Sequence, residues 1–540
     1  MNFMSEIGYL NKIRDEKKTV AKLREEVLVA IFISKDRGVA TELMVSYFMK
    51  DQHIYSVRSD DKDEMWIYDN GIYIPEAITY ITEFCREVLE KDYTTQLKNQ
   101  VVEKIKADTY IDSQKFFEFQ ENLEYIPVQN GLLNIFEQKL EKFTPEKIFF
   151  SKLPCEYKPE NKCIKIKSFI ADICGDHSDI ETIRQFIGSC LLRENRFEKM
   201  LMCIGGGRNG KTKLAELIKK FLGTENVSGL QPSSFENPES FQTYLLHGKL
   251  VNMYMDISKQ AFKNTSLLKS LTGRDTISVP RKYKTPLTFT NSCKFIFGAN
   301  DLPMSYDISS GFWQRWLLIS LPYTFVYQRD KDKVAESDKH KYKIRNDNII
   351  DDICDEKELS GMLNWVLNGL KELLKTSSFS YKYTPEEVQT MWIRESDSFA
   401  AFFMDVCEYE YGYQIEKQEM KKAYVEYCKT HKIKILGDKK IKHYLEEQGC
   451  FDGRLKEEGK DVYTWENVKF KDIYRASTDI HNLQTFKQPT VKERVKMYVE
   501  TQSEPRIQDL KMRFGHKIVD KMLEDGDLIR SKKETVRMNL

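Results

Sequence analysis

The sequence predicts an α/β fold of several domains, with a sheet-and-helix core over residues 151–375, an α+β region at 1–150, and helix-and-hairpin modules at 376–478 and 479–540. Three observations predict it. The apolar run 200–204 stops at a glycine-rich octet and is followed by an amphipathic helix at 213–222, which makes a strand–loop–helix unit. Two more apolar runs, 250–255 and 293–297, read as further strands of the same sheet, although spacing alone does not give their order. The pairs Asn70-Gly71 and Asn130-Gly131 lie inside the alternating stretches 64–74 and 128–135, the strongest short-range signal for a hairpin turn.

Along the chain, residues 15–48 read as helices, with Val20, Leu23, Val27 and Ile31 at near-helical intervals. After the two hairpin stretches and the segment 140–150, a helical segment at 169–192 leads into the glycine octet. The charged stretch 328–343 has no period and reads as a solvated loop, while 356–374 is helical again and 377–384 reads as a linker. Residues 385–475 give helix, helix and an alternating hairpin at 454–465. The segments 491–501, 507–514, 516–524 and 528–538 then repeat that plan in miniature as three helices and a hairpin, a small winged helix.

At 540 residues the chain is too long for one core and divides into roughly three to five domains. Its 84 basic and 83 acidic residues exclude a global polycation, so any nucleic-acid contact must come from local patches. Eleven scattered cysteines without a CxxC pair point to a reducing cytoplasm rather than a disulfide framework or zinc ribbon. Cys163, Cys174 and His177 fall short of the about four ligands of a structural zinc site and read as packing. Residues 1–18 lack the apolar run of a signal peptide, and no stretch reaches the ~18 apolar residues of a membrane span, so a cytoplasmic, membrane-free protein is expected.

The octet Gly205-Gly206-Gly207-Arg208-Asn209-Gly210-Lys211-Thr212 matches G-x-x-x-x-G-K-[ST] in full. Glycines let backbone N–H groups turn toward phosphates, a helix amino terminus adds partial positive charge, Lys211 reaches the β and γ phosphates, and Thr212 ligates Mg²⁺. ATP and Mg²⁺ are therefore the expected cofactors. Asp256, closing an apolar run, suits an acid that holds the metal or polarises water, or else a strand-terminal cap. Asn300 ends the next run, where a polar side chain can sense the γ-phosphate or orient water. Arg315, set among aromatics near the nucleotide, fits two roles equally: a cation for charge developing on a phosphoryl group, or a stacked structural cation.

The order of these motifs resembles superfamily 3 helicases, the AAA+ branch of small viruses, phages and mobile elements. The likeness extends to helicases related to the poxvirus primase-helicase and especially to Rep initiator helicases of Gram-positive phages and their pathogenicity-island satellites. The stretches GGGRNGKT, LLHGKLVNMYMDIS, LLKSLTGRDTISVPRKYKTPLTF, KFIFGANDLP, GFWQRW and SGMLNWVLNGLKELL carry it, over about 185–375. The resemblance implies that Lys211 and Thr212 are the Walker A pair, Asp256 belongs to Walker B, Asn300 is the sensor and Arg315 is an arginine finger reaching a neighbouring subunit. It also places Lys269 where the family often carries a basic residue. Met255 stands where the family usually has an acid or small polar residue, which leaves open whether Asp256 serves metal, water or both.

Residues 277–289 read as a hairpin carrying Arg281, Lys282 and Lys284 around Tyr283. Composition alone favours a solvated charged turn, but the resemblance implies a pore hairpin that tracks single-stranded DNA, with cations on phosphates and the ring on a base. From Thr485 to Leu540 there are 13 Lys/Arg against 9 Asp/Glu. Lys517 and Lys521 on the third helix of the final module, with Lys532 and Lys533 at its wing, suit a reader of double-stranded DNA; a protein-docking module is the alternative.

Together these imply a homo-hexameric, 3′ to 5′ DNA helicase and replication initiator, with priming left to a separate primase and host replication proteins. The alternatives are an origin-binding initiator that ATP merely switches, the helicase half of a primase-helicase, and an AAA+ protein remodeller.

Overall fold

The computed structural model describes residues 19–57, 64–117, 122–237, 240–257, 262, 264–282, 284–305, 307, 309–431, 433–457, 460–471, 499, 506–514, 516–525, 528–530 and 536–538. They fall into two compact units, Met1–Gln389 and Thr390–Leu540.

The first unit is built on a five-stranded, wholly parallel sheet. Its strands are β1 (Met200–Ile204), β2 (Val227–Ser228), β3 (Val251–Tyr254), β6 (Lys294–Ala299) and β7 (Trp316–Ser320), in the order β7-β1-β6-β3-β2. An antiparallel pair, β4 (Thr276–Arg281) and β5 (Lys284–Thr290), is inserted between β3 and β6. A parallel sheet covered on both faces needs strands that are apolar throughout rather than alternating, and every residue of β6 is buried. Asn252 is the exception in β3; its side chain bonds both the N–H and the C=O of Leu230, at 2.8 and 2.9 Å, and so pins the strand after β2.

Helices α1 (Ile164–Ile173), α2 (His177–Ser189), α3 (Lys211–Leu222) and α5 (Glu356–Thr376) contribute to one continuous core with β1, β6 and β7, while the short α4 (Ser266–Thr272) precedes β4. In α3 the apolar stripe Leu214, Leu217, Ile218, Phe221 faces that core. Gly188 of α2 allows the close crossing of α5, since a Cβ there would lie 2.5 Å from the Val366 carbonyl.

The Asn70-Gly71 hairpin belongs to a four-stranded sheet made of Ile54–Val57, Glu64–Asp69, Ile72–Ile74 and Tyr110–Ile111, backed by helices with their own core around Val27, Met44, Ile67 and Ile81. The Asn130-Gly131 hairpin goes elsewhere: Ile126, Val128, Leu133 and Ile135 bury into the core of the parallel sheet. Residues 377–384 are not a free linker. Ser380 bonds Gln185, and the Tyr381 hydroxyl bonds both the N–H and the C=O of Leu318 on β7.

In the second unit, α6 (Ser398–Val406), β8 (Cys407–Glu416), α7 (Lys417–His431), α8 (Asp438–Glu447), β9 (Phe451–Glu457) and β10 (Lys460–Phe470) follow one another, with sheet order β8-β10-β9. Phe399, Phe402, Tyr424, Leu445, Trp465 and Val468 fill the space between helices and sheet. The last module holds α9 (Ile507–Phe514), α10 (His516–Glu524) and a pair of short antiparallel strands, Leu528–Arg530 with Val536–Met538, around Leu510, Val519 and Met522. Of the helix expected at 491–501 only Val499 is described. No helix among the described residues is long and apolar enough to cross a membrane.

Candidate active site

The glycine loop joins β1 to α3 at the carboxyl edge of the parallel sheet. Gly207 (φ +93°) and Gly210 (φ +92°) adopt left-handed backbone conformations; nothing lies within 4 Å of the Cβ that Gly207 lacks, whereas a Cβ on Gly210 would press to 2.7 Å from Ile173. Gly207 thus faces open space and Gly210 lets the loop settle on α1. Arg208 is also left-handed, at φ +52°. Such a backbone turns successive N–H groups inward as an anion cradle, and the first turn of α3 adds unpaired N–H groups and the positive end of its dipole.

Lys211 is the buried cation of this cradle. Its Nζ donates to the carbonyl of Gly205 at 2.5 Å and to Oδ1 of both Asn209 and Asn300 at 3.0 Å. Burial lowers its pKa, opposed by the nearby Asp256 carboxylate. All three of these acceptors are neutral, so among the described residues Lys211 hydrogen-bonds to no anion, and an incoming phosphate would supply one.

The strand order explains why distant residues meet here. β6 lies directly beside β1 and β3 lies next, so Asn300 and the Met255-Asp256 pair emerge on the same edge as the glycine loop. Lys211, Thr212, Asp256 and Asn300 line one cavity of about 600 Å³. Thr212 and Asp256 are exposed to it and present hard oxygen donors, a set that fits Mg²⁺ completed by water and phosphate oxygens. Met255 also lines the cavity, as the only side chain between the strand and Asp256.

The far wall of this cavity is apolar and was not visible in the sequence. Ile173, Phe325, Ile344 and Ile349 form it, with Asp172, Arg345 and Asn346 as its polar groups. The stretch 328–343 is therefore more than a solvated loop. It ends in Tyr342–Ile344, which pairs in parallel with Thr324–Val326 and brings Ile344 and Asn346 to the cavity. Replacing Phe325 with alanine is expected to weaken nucleotide binding about tenfold through lost contact with the base, measured by titration with a fluorescent nucleotide.

Arg315 is not near the phosphate loop of its own chain. It immediately precedes β7, whose register Trp316↔Met200 to Ser320↔Ile204 puts Arg315 at the amino edge of the sheet, about 15 Å along the strands from the loop. Its Nε donates to Thr272 Oγ1 at 3.0 Å, Nη2 pairs with Glu198 at 3.1 Å, and Nη1 bonds the Gly311 carbonyl. Lys269, on α4 nearby, pairs with Asp307 at 2.8 Å.

The β4–β5 hairpin exists, but it does not project freely. Val279, Leu287 and Phe289 bury against Tyr73, Phe116 and Phe117 of the amino-terminal region. Arg281 pairs at 2.6 Å with Glu64, and both side chains are nearly buried, at 12% and 14% exposure. Lys282 is exposed; Tyr283 lies outside the described residues, and Lys284 begins β5. Glu64→Ala is expected to destabilise the first unit by about 3 kcal/mol, because it removes the carboxylate that pairs with a nearly buried guanidinium, and Glu64→Ala with Arg281→Met should recover most of the loss in thermal unfolding. In the last module Lys521 is exposed, Lys517 lies on α10, and Lys532 and Lys533 lie outside the described residues.

Residues 41–175 match the family described as "D5 N terminal like", and residues 203–315 match a "Family of unknown function (DUF5906)". Over 319 residues, 55% of this chain, the sequence is 25% identical to the "Putative helicase L207/L206" of Acanthamoeba polyphaga mimivirus. The likeness is to a putative viral helicase. The chain spans only 31% of that mimivirus protein's length. Among solved structures, the apo C-terminal region of NrS-1 aligns over 78% of this chain and 97% of its own, at 13% identity and a TM-score of 0.37. JCV helicase aligns over 71% and 96%, at 11% identity and a TM-score of 0.26. At TM-scores this low, the fold rests on the strand order described above.

The glycine loop, Asp256, Asn300 and Arg315 all lie inside or at the end of the 203–315 match, and the sheet containing Glu64 lies inside the 41–175 match.

Proposed function

We propose that this chain is an ATP-hydrolysing DNA helicase of the superfamily 3, AAA+ type, working as a ring of six in the replication of a phage or mobile element. One observation carries the reading: the glycine loop and Arg315 occupy opposite edges of one sheet. A protomer arranged this way holds nucleotide on one side and offers a cation on the other, so a head-to-tail ring completes each site with the neighbour's arginine. The sheet order supports the same class, since the strand bearing Asn300 is inserted between those bearing the loop and Asp256.

In this reading Lys211 and the loop N–H groups bind the β and γ phosphates, and Asn300 holds Lys211 and the attacking water in place. Mg²⁺, when bound at Thr212 and Asp256, neutralises charge on the phosphate oxygens. The neighbour's Arg315 stabilises the charge that develops on the transferred phosphoryl group. The helix–strand–helix–helix–hairpin order of α6 to β10, and the smaller module after it, support winged-helix domains that would hold origin DNA. The domain reading is an amino-terminal collar, the motor, and these two modules, with priming supplied by a separate protein.

The Glu64–Arg281 pair favours a second reading, in which nucleotide switches assembly on the origin and no strand is translocated. Lys282→Ala with Lys284→Ala separates the two. Strand separation on 3′-tailed forks is expected to vanish while duplex binding persists; a parent that binds duplex and hydrolyses ATP but separates no strands, with the variant indistinguishable from it, would support the switch. ATPase insensitive to DNA would instead point to a protein remodeller.

A further inference from the structure

We propose that the module from α6 to β10 carries a second duplex-DNA face, centred on Lys434, Lys439 and Lys440, with the amino-terminal half of α8 as its docking element. The proposal rests on the helicase reading only for the identity of the polyanion.

Between Lys429 and His443 the chain places six lysines and one acid, Asp438, in a protein whose basic and acidic residues otherwise nearly cancel. The lysines of this module divide into two sets. Lys417 and Lys442 both bond Asp452, Lys421 pairs with Asp438 at 3.1 Å, and Lys469 pairs with Glu408 at 3.0 Å. Lys429, Lys434, Lys439 and Lys440 are exposed and make no ion pair among the described residues. Lys439 and Lys440 also occupy the first turn of α8, where the helix dipole repels cations, while Glu446 and Glu447 occupy the last turn, where it repels anions. Asp438 offsets the lysines in the first turn, whereas the last turn holds no basic residue beside its glutamates. This distribution is the one expected of a helix that presents its amino end to phosphates.

The neighbouring hairpin extends the face. Lys442 holds α8 against β9 at Asp452, which lies opposite Trp465 in the sheet. Two residues further out on the same side of the sheet, Arg454, which pairs with Asp461, lies opposite Tyr463, which is 59% exposed. A helix about 10–12 Å across enters the major groove of B-DNA, with the hairpin against the adjacent backbone. The rings at this face, His443 and Tyr463, are exposed and Tyr444 is half-buried, so binding of a single strand is the outcome that the test must separate from binding of a duplex.

The test uses the full chain and a blunt duplex without single-stranded ends, with fluorescence anisotropy at several salt concentrations and DNA-stimulated ATPase measured alongside. Lys439→Ala with Lys440→Ala is expected to weaken duplex binding about tenfold and lower the salt slope by about two, with ATPase at the parental rate; Lys439→Arg with Lys440→Arg should keep parental affinity. Parental affinity and slope in the alanine pair, a loss confined to single-stranded DNA, or a parent that ignores duplex would each overturn the proposal. A parent without ATPase whose alanine pair still loses duplex binding would sink the helicase reading and leave this face standing.

Discussion

Arg315→Ala is expected to bind nucleotide as tightly as the parent and to hydrolyse it ~10³-fold more slowly or worse, the range seen when a finger arginine is withdrawn from a phosphoryl-transfer site. The separation in effect follows from position. Arg315 adjoins the amino end of β7 and touches nothing at the glycine loop of its own chain, so binding within a protomer does not involve it. Its present partners, Glu198 and Thr272, sit at the same edge; the Arg315 side chain is 12% exposed and that of Glu198 40%, so a finger role requires the guanidinium to leave these partners when a neighbour docks. Arg315→Ala loses its bonds to Thr272, Glu198 and Gly311 in either case, so what marks a purely structural arginine is nucleotide binding that falls together with turnover. Lys in place of Arg keeps the charge and loses the fork geometry, so Arg315→Lys is expected to recover little turnover. Steady-state ATPase together with nucleotide titration separates the two outcomes.

The second large effect is expected at Lys211. Removing it takes away the one buried cation of the loop and leaves the acceptors on Gly205, Asn209 and Asn300 without their shared donor. Lys211→Ala is expected to lose about 10²–10³-fold in turnover through lost charge stabilisation, and strand separation with it. Asn300→Ala should act in the same direction but less strongly, since Lys211 retains Asn209. Rapid-quench measurement of phosphate release compares them directly. Equal and full activity in Lys211→Ala would remove the site from this loop altogether.

Much of this site was legible in the sequence for a simple reason. The glycine loop is a local pattern whose conformation is dictated by residues next to one another, and the apolar runs on either side of it can only be strands covered on both faces. Asp256 and Asn300 were legible as strand ends for the same reason. What spacing could not give was the order of the strands, so it could not tell that Arg315 stands away from its own loop although it enters β7, the immediate neighbour of β1. The apolar wall at Phe325, Ile344 and Ile349 was missed because a three-residue parallel pair has too few residues to show a period among the charges of 328–343. The Glu64–Arg281 pair joins residues 217 positions apart, and each alone looks like an ordinary surface charge. The same limit hid the sorting of lysines in the α6–β10 module, where Lys442 and Lys440 differ only in which way the helix turns them.

The most direct measurement mixes two proteins that are each inactive, Lys211→Ala with intact Arg315 and Arg315→Ala with intact Lys211. In a head-to-tail ring about a quarter of the junctions in an equal random mixture join an intact loop to an intact arginine, so ATPase should return to roughly that fraction of the parental rate. No recovery in mixtures shown to co-assemble, or an Arg315→Ala protein that alone turns over ATP at the parental rate, would contradict the account.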